Sequence, residues 1–196
     1  MVDRKTRIHD AATEVFGKYG FRQASMEQLA EAAGLSRQGL YAHFGSKEEL
    51  FASCVEALHA RALDAGAEAA RAARAEGSDA VSVIVAQLDA HARYILERIA
   101  GSPHGAALLD ESHRLCGAIN AASRERHEKQ LAATIQAERR AGRLATGGAS
   151  APELARLLLH ASRGIKAAVP APSVESFGRD LARMVRLLLA GASAPR

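Results

Sequence analysis

Residues 25–50, SMEQLAEAAGLSRQGLYAHFGSKEEL, carry the most specific pattern in the chain. Ser25 followed three residues later by Gln28 forms a capping box, which predicts the start of a helix. The run Ala33-Gly34-Leu35-Ser36 predicts a tight turn, because glycine tolerates a left-handed backbone and serine can cap the helix that follows. Two short helices joined by such a turn are typical of a helix-turn-helix, and the second helix of that motif enters the major groove of DNA.

The second of these helices has an apolar side and a polar side. Leu40 and Phe44, four residues apart, predict the side that packs against a core. The other side carries no acid, and its Arg and Gln side chains can donate paired hydrogen bonds to guanine and adenine, each worth about 1–3 kcal/mol of base discrimination. One such residue alone would equally fit a solvated helix face, so the prediction depends on the whole set. The predicted DNA-binding residues are Ser25, Arg37, Gln38, Gly39, Tyr41, Ala42, His43 and Lys47.

Outside this stretch, apolar residues recur at helical spacing along the chain, without strand-like alternation. The pattern predicts an all-α protein of about nine helices, with a three-helix helix-turn-helix head and a larger helical body for ligand binding and dimerisation. Gly20 is a predicted stop for the first helix, and residues 142–150 are a predicted loop. We expect a DNA-binding domain over 1–48 and an effector-binding and dimerisation domain over 49–196, which share a long fourth helix.

Charge and composition narrow the possible functions. The 196-residue chain has a formal net charge of +4, but its first 50 residues contain seven Lys or Arg and seven Asp or Glu. A neutral head has to bind DNA through the placement of its cations. No apolar run approaches the roughly 20 residues of a membrane span, and the charged N-terminus does not look like a secretion signal, so we expect a cytoplasmic protein with no membrane partner. The two cysteines, Cys54 and Cys116, lack a metal-binding spacing, and the sequence predicts no cofactor and no metal.

Many further positions of the first 50 residues fit one pattern: Ala11-Ala12, Phe16, Tyr19-Gly20-Phe21, Ser25-Met26, Leu29-Ala30, Ala33-Gly34-Leu35-Ser36 and the run from Leu40 to Leu50. This pattern closely resembles the DNA-binding signature of the tetracycline-repressor (TetR) family of bacterial transcription regulators. The resemblance implies phosphate contacts by Tyr41, His43 and Lys47. It also implies that four residues lie nearest the bases, namely Arg37, Gln38, Gly39 and Ala42. Ser25, where the family more often has threonine, keeps the hydroxyl, and Gly39 replaces the more usual Ser, Thr or Ala.

Two apolar stripes near the C-terminus predict the last two helices. They would suit an ordinary core, but the family resemblance makes them half of an intersubunit four-helix bundle. Because one helix-turn-helix contacts few bases, a two-fold dimer spanning two half-sites about 34–36 Å apart is favoured. We therefore expect a homodimer on a palindromic double-stranded DNA operator. The predicted interface residues are Leu154, Leu158, Ala161, Ile165, Phe177, Leu181, Met184 and Leu188.

The body also contains polar side chains suited to a small-molecule effector of unknown identity. The predicted pocket residues are His91, Tyr94, His113, Cys116, His160 and Arg163. Beyond Phe51, near the start of the predicted fourth helix, the aromatic residues are Tyr94 and Phe177, which favours a small or aliphatic ligand with an acidic group over a flat cationic drug. Asp110, His113 and Cys116, spaced three apart, would also suit a metal, although scattered histidines are more often surface or core groups.

The sequence is compatible with three different functions. The leading hypothesis is a repressor released from its operator by an effector. A DNA-binding protein without an effector, controlled by a protein partner or by its abundance, predicts a body with no closed pocket. An all-helical enzyme is the third, but the chain has no G-x-S-x-G elbow, phosphate-binding loop or H-E-x-x-H motif, so we expect no catalytic residues.

Overall fold

The computed structural model describes residues 4–170 and 172–190, and these residues form helices without any strand. This confirms the predicted all-α class. None of the helices in the described ranges is long and apolar enough to cross a membrane. In chain order, the nine described helices are α1 (Arg4–Gln23), α2 (Met26–Ala32), α3 (Arg37–Tyr41), α4 (Lys47–Ala75), α5 (Ala80–Ala100), α6 (Gly105–Leu115), α7 (Gly117–Arg140), α8 (Ala151–Lys166) and α9 (Val174–Ala190).

The end of α1 differs slightly from the sequence prediction. Gly20 leaves the helical region, with φ 78° and ψ 159°, but the chain resumes a helical course to Gln23. A side chain at this position would also be crowded, because an added Cβ would lie 3.3 Å from Nδ1 of His104. Glycine therefore breaks α1 where the sequence predicts a stop and lets the segment before α6 approach closely.

The turn between α2 and α3 has the predicted conformation. The Ser25 hydroxyl accepts from the amide of Gln28, and the Gln28 side chain accepts from the amide of Ser25. At the other end of α2, Gly34 adopts φ 67°, and its amide donates to the carbonyl of Glu31 while the amide of Leu35 donates to the carbonyl of Ala30. These two bonds form a Schellman motif, which ends α2 abruptly and turns the chain into α3.

The described residues pack into two compact units. Unit 1 contains the chain up to Ala60 and the segment Glu97–Ser123, and unit 2 contains Arg61–Leu96 and the chain from Arg124 onward. The helices α4, α5 and α7 each continue from one unit into the other. The boundary predicted at residue 48 concerns function, and this division by packing does not test it.

The core of unit 1 joins the helix-turn-helix to the start of α4. Phe16 and Phe51 meet edge to face with ring centroids 5.3 Å apart, and Leu40 is completely buried. One ring nitrogen of His9 lies 2.8 Å from the Ser53 hydroxyl, which ties α1 to α4. Apolar packing therefore holds α3 in place, since a helix of five residues is not stable alone.

The core of unit 2 is built largely by α8 and α9, which pack against each other. Leu158, Phe177 and Leu181 are at most 1% exposed. At the end of α7, the fully buried carboxylate of Glu138 accepts from Nε of Arg74 at 2.6 Å and from Nε of Arg143 at 2.7 Å. This double ion pair joins the end of α4 to the chain that follows α7.

Candidate DNA-binding surface

The predicted recognition helix α3 presents its polar residues to solvent. Leu40 is buried in the core of unit 1, and the residues on the exposed side are Arg37, Gln38, Tyr41, Ala42 and His43. Ser36 begins the helix, and its hydroxyl accepts from the amide of Gly39 at 3.0 Å. A helix that enters a DNA groove needs one side packed on the protein and the other side free, as α3 has.

Arg37, the first residue of α3, is held by two neighbours. Its Nη1 atom lies 2.7 Å from Oε1 of Glu27 on α2. Its guanidinium carbon lies 5.5 Å from the centroid of the Tyr41 ring. A side-chain hydrogen bond with Tyr41 and the charge of Glu27 both raise the pKa of Arg37. The guanidinium is therefore a permanent cation with a defined position on the exposed side of α3.

Lys47, predicted from the family resemblance to contact phosphate, also has a structural role. Its ammonium nitrogen lies 2.9 Å from the carbonyl oxygen of Ala24 and 3.3 Å from that of Arg22. It also lies 4.8 Å from the centroid of the Phe21 ring. Two of its three N–H groups can serve these carbonyls, so one stays available to an external acceptor.

The remaining predicted residues have different local environments. Ser25 is half-buried and its hydroxyl caps α2. Gly39 is crowded, because an added Cβ would lie 3.1 Å from Oγ of Ser36. His43 lines a shallow cavity of about 390 Å³ together with Arg4 and Lys5 of α1. Two cations at the free end of α1 thus line the same cavity as His43, where the acid Glu49 also lies.

Glu27 is the member of this surface that the sequence analysis did not select. It follows the α2 cap by two residues, where an acid is expected simply because it suits the positive end of the helix dipole. Its contact with Arg37 depends on how α2 and α3 cross, and no spacing pattern in the sequence encodes that contact.

The segment around α6 packs on the same unit as the helix-turn-helix. The Ser102 hydroxyl donates to the carbonyl of Gly17 at 2.9 Å. Glu111, which is 8% exposed, accepts from Nε of Arg22 at 3.2 Å and from Nε of Arg114 at 2.7 Å. These two bonds lower the pKa of Glu111, with the Arg114 bond the larger cause. A cavity of about 330 Å³ beside this ion pair is lined by Tyr19, Gly20, Phe21, Arg22, Gln23, His104, Ala107, Asp110, Glu111 and Arg114.

The six predicted effector residues are divided between the units. His113 is exposed, whereas Cys116 is buried in the core of unit 1, where desolvation raises the pKa of its thiol. In unit 2, His91 is buried and its ring stacks on that of His127 at a centroid distance of 3.6 Å. The other three predicted residues are Tyr94, which is half-buried, and His160 and Arg163, which are exposed on α8. Among the residues described, no group of three or more His, Cys, Asp or Glu is placed to hold a metal.

The predicted dimer residues separate by burial. Leu154, Leu158, Phe177 and Leu181 are at most 7% exposed within their own chain, so they form the core of unit 2 and have almost no surface left for a partner. Ala161, Ile165 and Met184 are half-buried, and Leu188 is 47% exposed. Two leucines that the sequence analysis did not select, Leu157 and Leu187, are 51% and 67% exposed. Helical periodicity identifies the two stripes but not which side of each is covered by the chain itself.

Comparison with known proteins identifies the N-terminal segment. The sequence profile described as "Bacterial regulatory proteins, tetR family" matches residues 8–54. The HTH-type transcriptional activator FasR of Mycolicibacterium smegmatis is 39% identical over 54 residues, which are 28% of this chain and 25% of FasR. The HTH-type transcriptional repressor SCO4008 of Streptomyces coelicolor is 40% identical over 52 residues, which are 26% of this chain and 27% of the repressor. The chain thus matches about a quarter of the length of these curated relatives.

Likeness in structure extends over nearly the whole chain. The crystal structure of a putative TetR-family transcriptional regulator from Mesorhizobium loti is 25% identical, with a TM-score of 0.67 and coverage of 96% of each chain. The profile match lies on α1 to α4, which form the surface just described, and the structural match includes the helical body. The sequence signature of the tetR family of bacterial regulatory proteins thus lies in residues 8–54, and the fold of nearly the whole chain is similar to that of the Mesorhizobium loti regulator.

Proposed function

We propose that the protein is a sequence-specific DNA-binding transcription regulator that represses its target genes from a palindromic operator. The observation that carries the proposal is α3, which is anchored by the buried Leu40 and exposes Arg37, Gln38 and Tyr41. This arrangement offers paired donors to base edges and hydroxyl or cationic groups to phosphates. In this proposal residues 1–48 bind DNA and residues 49–196 bind the effector and the second subunit, in the bacterial cytoplasm.

Phosphate contacts would come from placed cations, because the first 50 residues have no net charge. The candidate groups are the spare N–H of Lys47 and the α1 cations Arg4 and Lys5, which line a cavity with His43. Contacts to phosphates would fix the register of the protein on DNA, and α3 would then recognise the base sequence.

A second subunit is supported by exposed apolar side chains on adjacent helices. Leu157 of α8 and Leu187 and Leu188 of α9 are between 47% and 67% exposed. Large exposed leucines on two packed helices favour burial against a partner, and a two-fold partner would supply the second recognition helix that a palindromic site requires. The proposed interface is therefore the outer side of α8 and α9 rather than the residues that form the core of unit 2.

Control by a small molecule is supported by polar groups inside unit 2. Gln87 is fully buried and donates to the Gln130 side chain at 3.2 Å, and Gln130 donates to the carbonyl of Leu63 at 3.0 Å. Ligand sites combine apolar side chains with a few polar groups that orient the ligand. An effector bound there would act through α4, α5 or α7, which continue into unit 1, and would favour a state whose recognition helices no longer match successive grooves.

The proposal is tested by mixing the purified protein with fragmented genomic DNA and sequencing the retained fragments at several salt concentrations. We expect a short palindromic site, with a log–log salt slope of about 0.9 per phosphate contacted. Genes beside that site would then supply candidate effectors, each tested for release of the protein from the DNA. Weak retention without sequence preference, unchanged in the Arg37→Ala and Tyr41→Phe variants, would overturn the proposal.

A further inference from the structure

An acid lies within a surface proposed to bind a polyanion. The Glu27 carboxylate is 2.7 Å from Nη1 of Arg37, and the two side chains are 55% and 61% exposed. An ion pair with both partners this exposed contributes little to the stability of the fold. A carboxylate beside DNA phosphates also repels them. The helix dipole accounts for an acid in the first turn of α2, but neither stability nor general DNA affinity accounts for the contact of Glu27 with Arg37.

The contact does have a consequence for the geometry of Arg37. Arginine has five N–H groups in a planar fork, and two of them, on one edge, can bind O6 and N7 of a guanine. Oε1 of Glu27 lies 2.7 Å from Nη1, so the edge formed by Nε and Nη2 is the one that can serve a base. The Tyr41 ring lies 5.5 Å from the guanidinium carbon and restricts the same group from the next turn of α3. A flexible side chain is thus confined before any DNA binds.

We propose that Glu27 is a positioning residue that sets the operator specificity of Arg37, holding its guanidinium so that the opposite edge donates to a guanine. This inference rests on the proposed function, because it requires Arg37 to contact a base. Because the Arg37 side chain is already confined in the free protein, it loses less rotamer freedom on binding. A guanidinium plane held in one orientation also binds weakly to a base that lacks two acceptors at the matching positions. The acid also weakens binding at sites where the guanidinium finds no partner.

The test is selection of binding sites from a library of random DNA duplexes by the full-length protein, followed by sequencing. The proteins compared are the wild type, R37A, E27A, E27Q and the double variant E27A/R37A. We expect R37A to lose about 5- to 150-fold of its preference for guanine at one position of each half-site. E27A should lose at least about twofold at that same position, with unchanged preferences elsewhere. E27Q, which keeps an acceptor oxygen, should lose less than E27A.

The double variant separates positioning from a general charge effect. If Glu27 acts through Arg37, then E27A changes no base preference when Arg37 is already alanine. Glu31 lies one turn further along α2 and is exposed, so E31Q makes the same change of charge on the same helix. We expect E31Q to leave all base preferences as in the wild type. Thermal melting of each variant checks that the fold is kept.

Two kinds of failure are distinguishable. If the wild type selects no site at all, the proposed function fails and this inference fails with it. If the wild type selects a site but E27A and E27Q leave the guanine preference unchanged, only the inference is overturned. The same holds if E27A changes the preference equally in the presence and absence of Arg37, or if R37A removes no base preference.

Discussion

The ammonium nitrogen of Lys47, at the start of α4, lies 2.9 Å from the carbonyl oxygen of Ala24, just before α2. The same ammonium is 3.3 Å from the carbonyl oxygen of Arg22. One side chain therefore joins the end of α1 and the residue after it to the start of α4. We expect Lys47→Met to lower the free energy of unfolding by about 1 kcal/mol, because two carbonyls lose a charged donor. Chemical denaturation measures this change.

The same substitution also tests the proposed phosphate contact of Lys47. We expect the slope of log affinity against log salt concentration to fall by about 0.9 for each subunit's lost contact. Lys129, which is exposed on α7, provides a control of equal charge, and Lys129→Met should change neither the stability nor the slope. A Lys47→Met protein that unfolds like the wild type would show that the contacts with the Ala24 and Arg22 carbonyls are not stabilising.

A second prediction concerns the cap of α3. The Ser36 hydroxyl accepts from the amide of Gly39 at 3.0 Å, and α3 is only five residues long. We expect Ser36→Ala to lower the free energy of unfolding by about 1 kcal/mol and also to weaken DNA binding, because the free donor at Gly39 favours fraying of the helix that carries Arg37. Denaturation and titration with operator DNA measure the two effects.

A matched cap exists at α8, where the Ser150 hydroxyl accepts from the amide of Glu153 at 3.3 Å. Ser150→Ala should reduce stability to a similar extent without changing the affinity of a dimer for DNA. If both serine variants bind DNA as tightly as the wild type, the order of α3 in the free protein does not matter for binding.

Local features were predictable from sequence, and contacts between distant segments were not. The capping box at Ser25 and the turn at Gly34 involve residues within a few positions of each other, so the residue types alone indicate them. The family resemblance of the first 50 residues rests on fixed spacings in the same way, and the family profile matches residues 8–54. The Glu27–Arg37 pair and the second role of Lys47 depend on how helices cross, and no spacing rule in one chain contains that information.

Burial within the body shows the same limit. The apolar stripes of α8 and α9 are strong helical patterns, but the pattern is identical for a core residue and an interface residue. Leu158 is fully buried in its own chain while its neighbour Leu157 is 51% exposed. Only the packing of α8 on α9 decides between the two, and it leaves on the surface Leu157, which was not among the predicted interface residues.

The ion pairs of Glu138 predict a pH dependence of stability. Hydrogen bonds from Arg143 and then from Arg74 hold the pKa of this buried carboxyl below its usual value. The unfolded chain therefore takes up a proton at higher pH than the folded chain, and stability rises with pH across that interval. The stabilisation is fully present above the ordinary glutamate pKa of about 4.3 and is lost as the pH falls through the lower pKa of the folded state.

We expect Glu138→Gln to lower the free energy of unfolding at pH 7 by about 1–3 kcal/mol, the usual cost of removing a buried partner. The difference from the wild type should shrink as the pH falls below about 4, because Glu138 of the unfolded wild-type chain is protonated there, and it should vanish once the folded state is protonated as well. Denaturant titrations at a series of pH values measure it, and Glu125→Gln, at an exposed position of α7, is the control. A difference that stays constant with pH would mean that charge is not what Glu138 contributes.

The last prediction concerns the second subunit. Leu157 and Leu188 are 51% and 47% exposed on two adjacent helices of unit 2, so neither side chain is needed to complete the core. We expect the double variant Leu157→Glu, Leu188→Glu to sediment as a monomer, because like charges would be buried against a two-fold partner. Its affinity for a palindromic operator should fall by about 100-fold or more, since the two half-sites would no longer be bound together. Leu109, which is 42% exposed on α6, is the control, and Leu109→Glu should remain a dimer. A double variant that still sediments as a dimer would move the interface away from the outer side of α8 and α9.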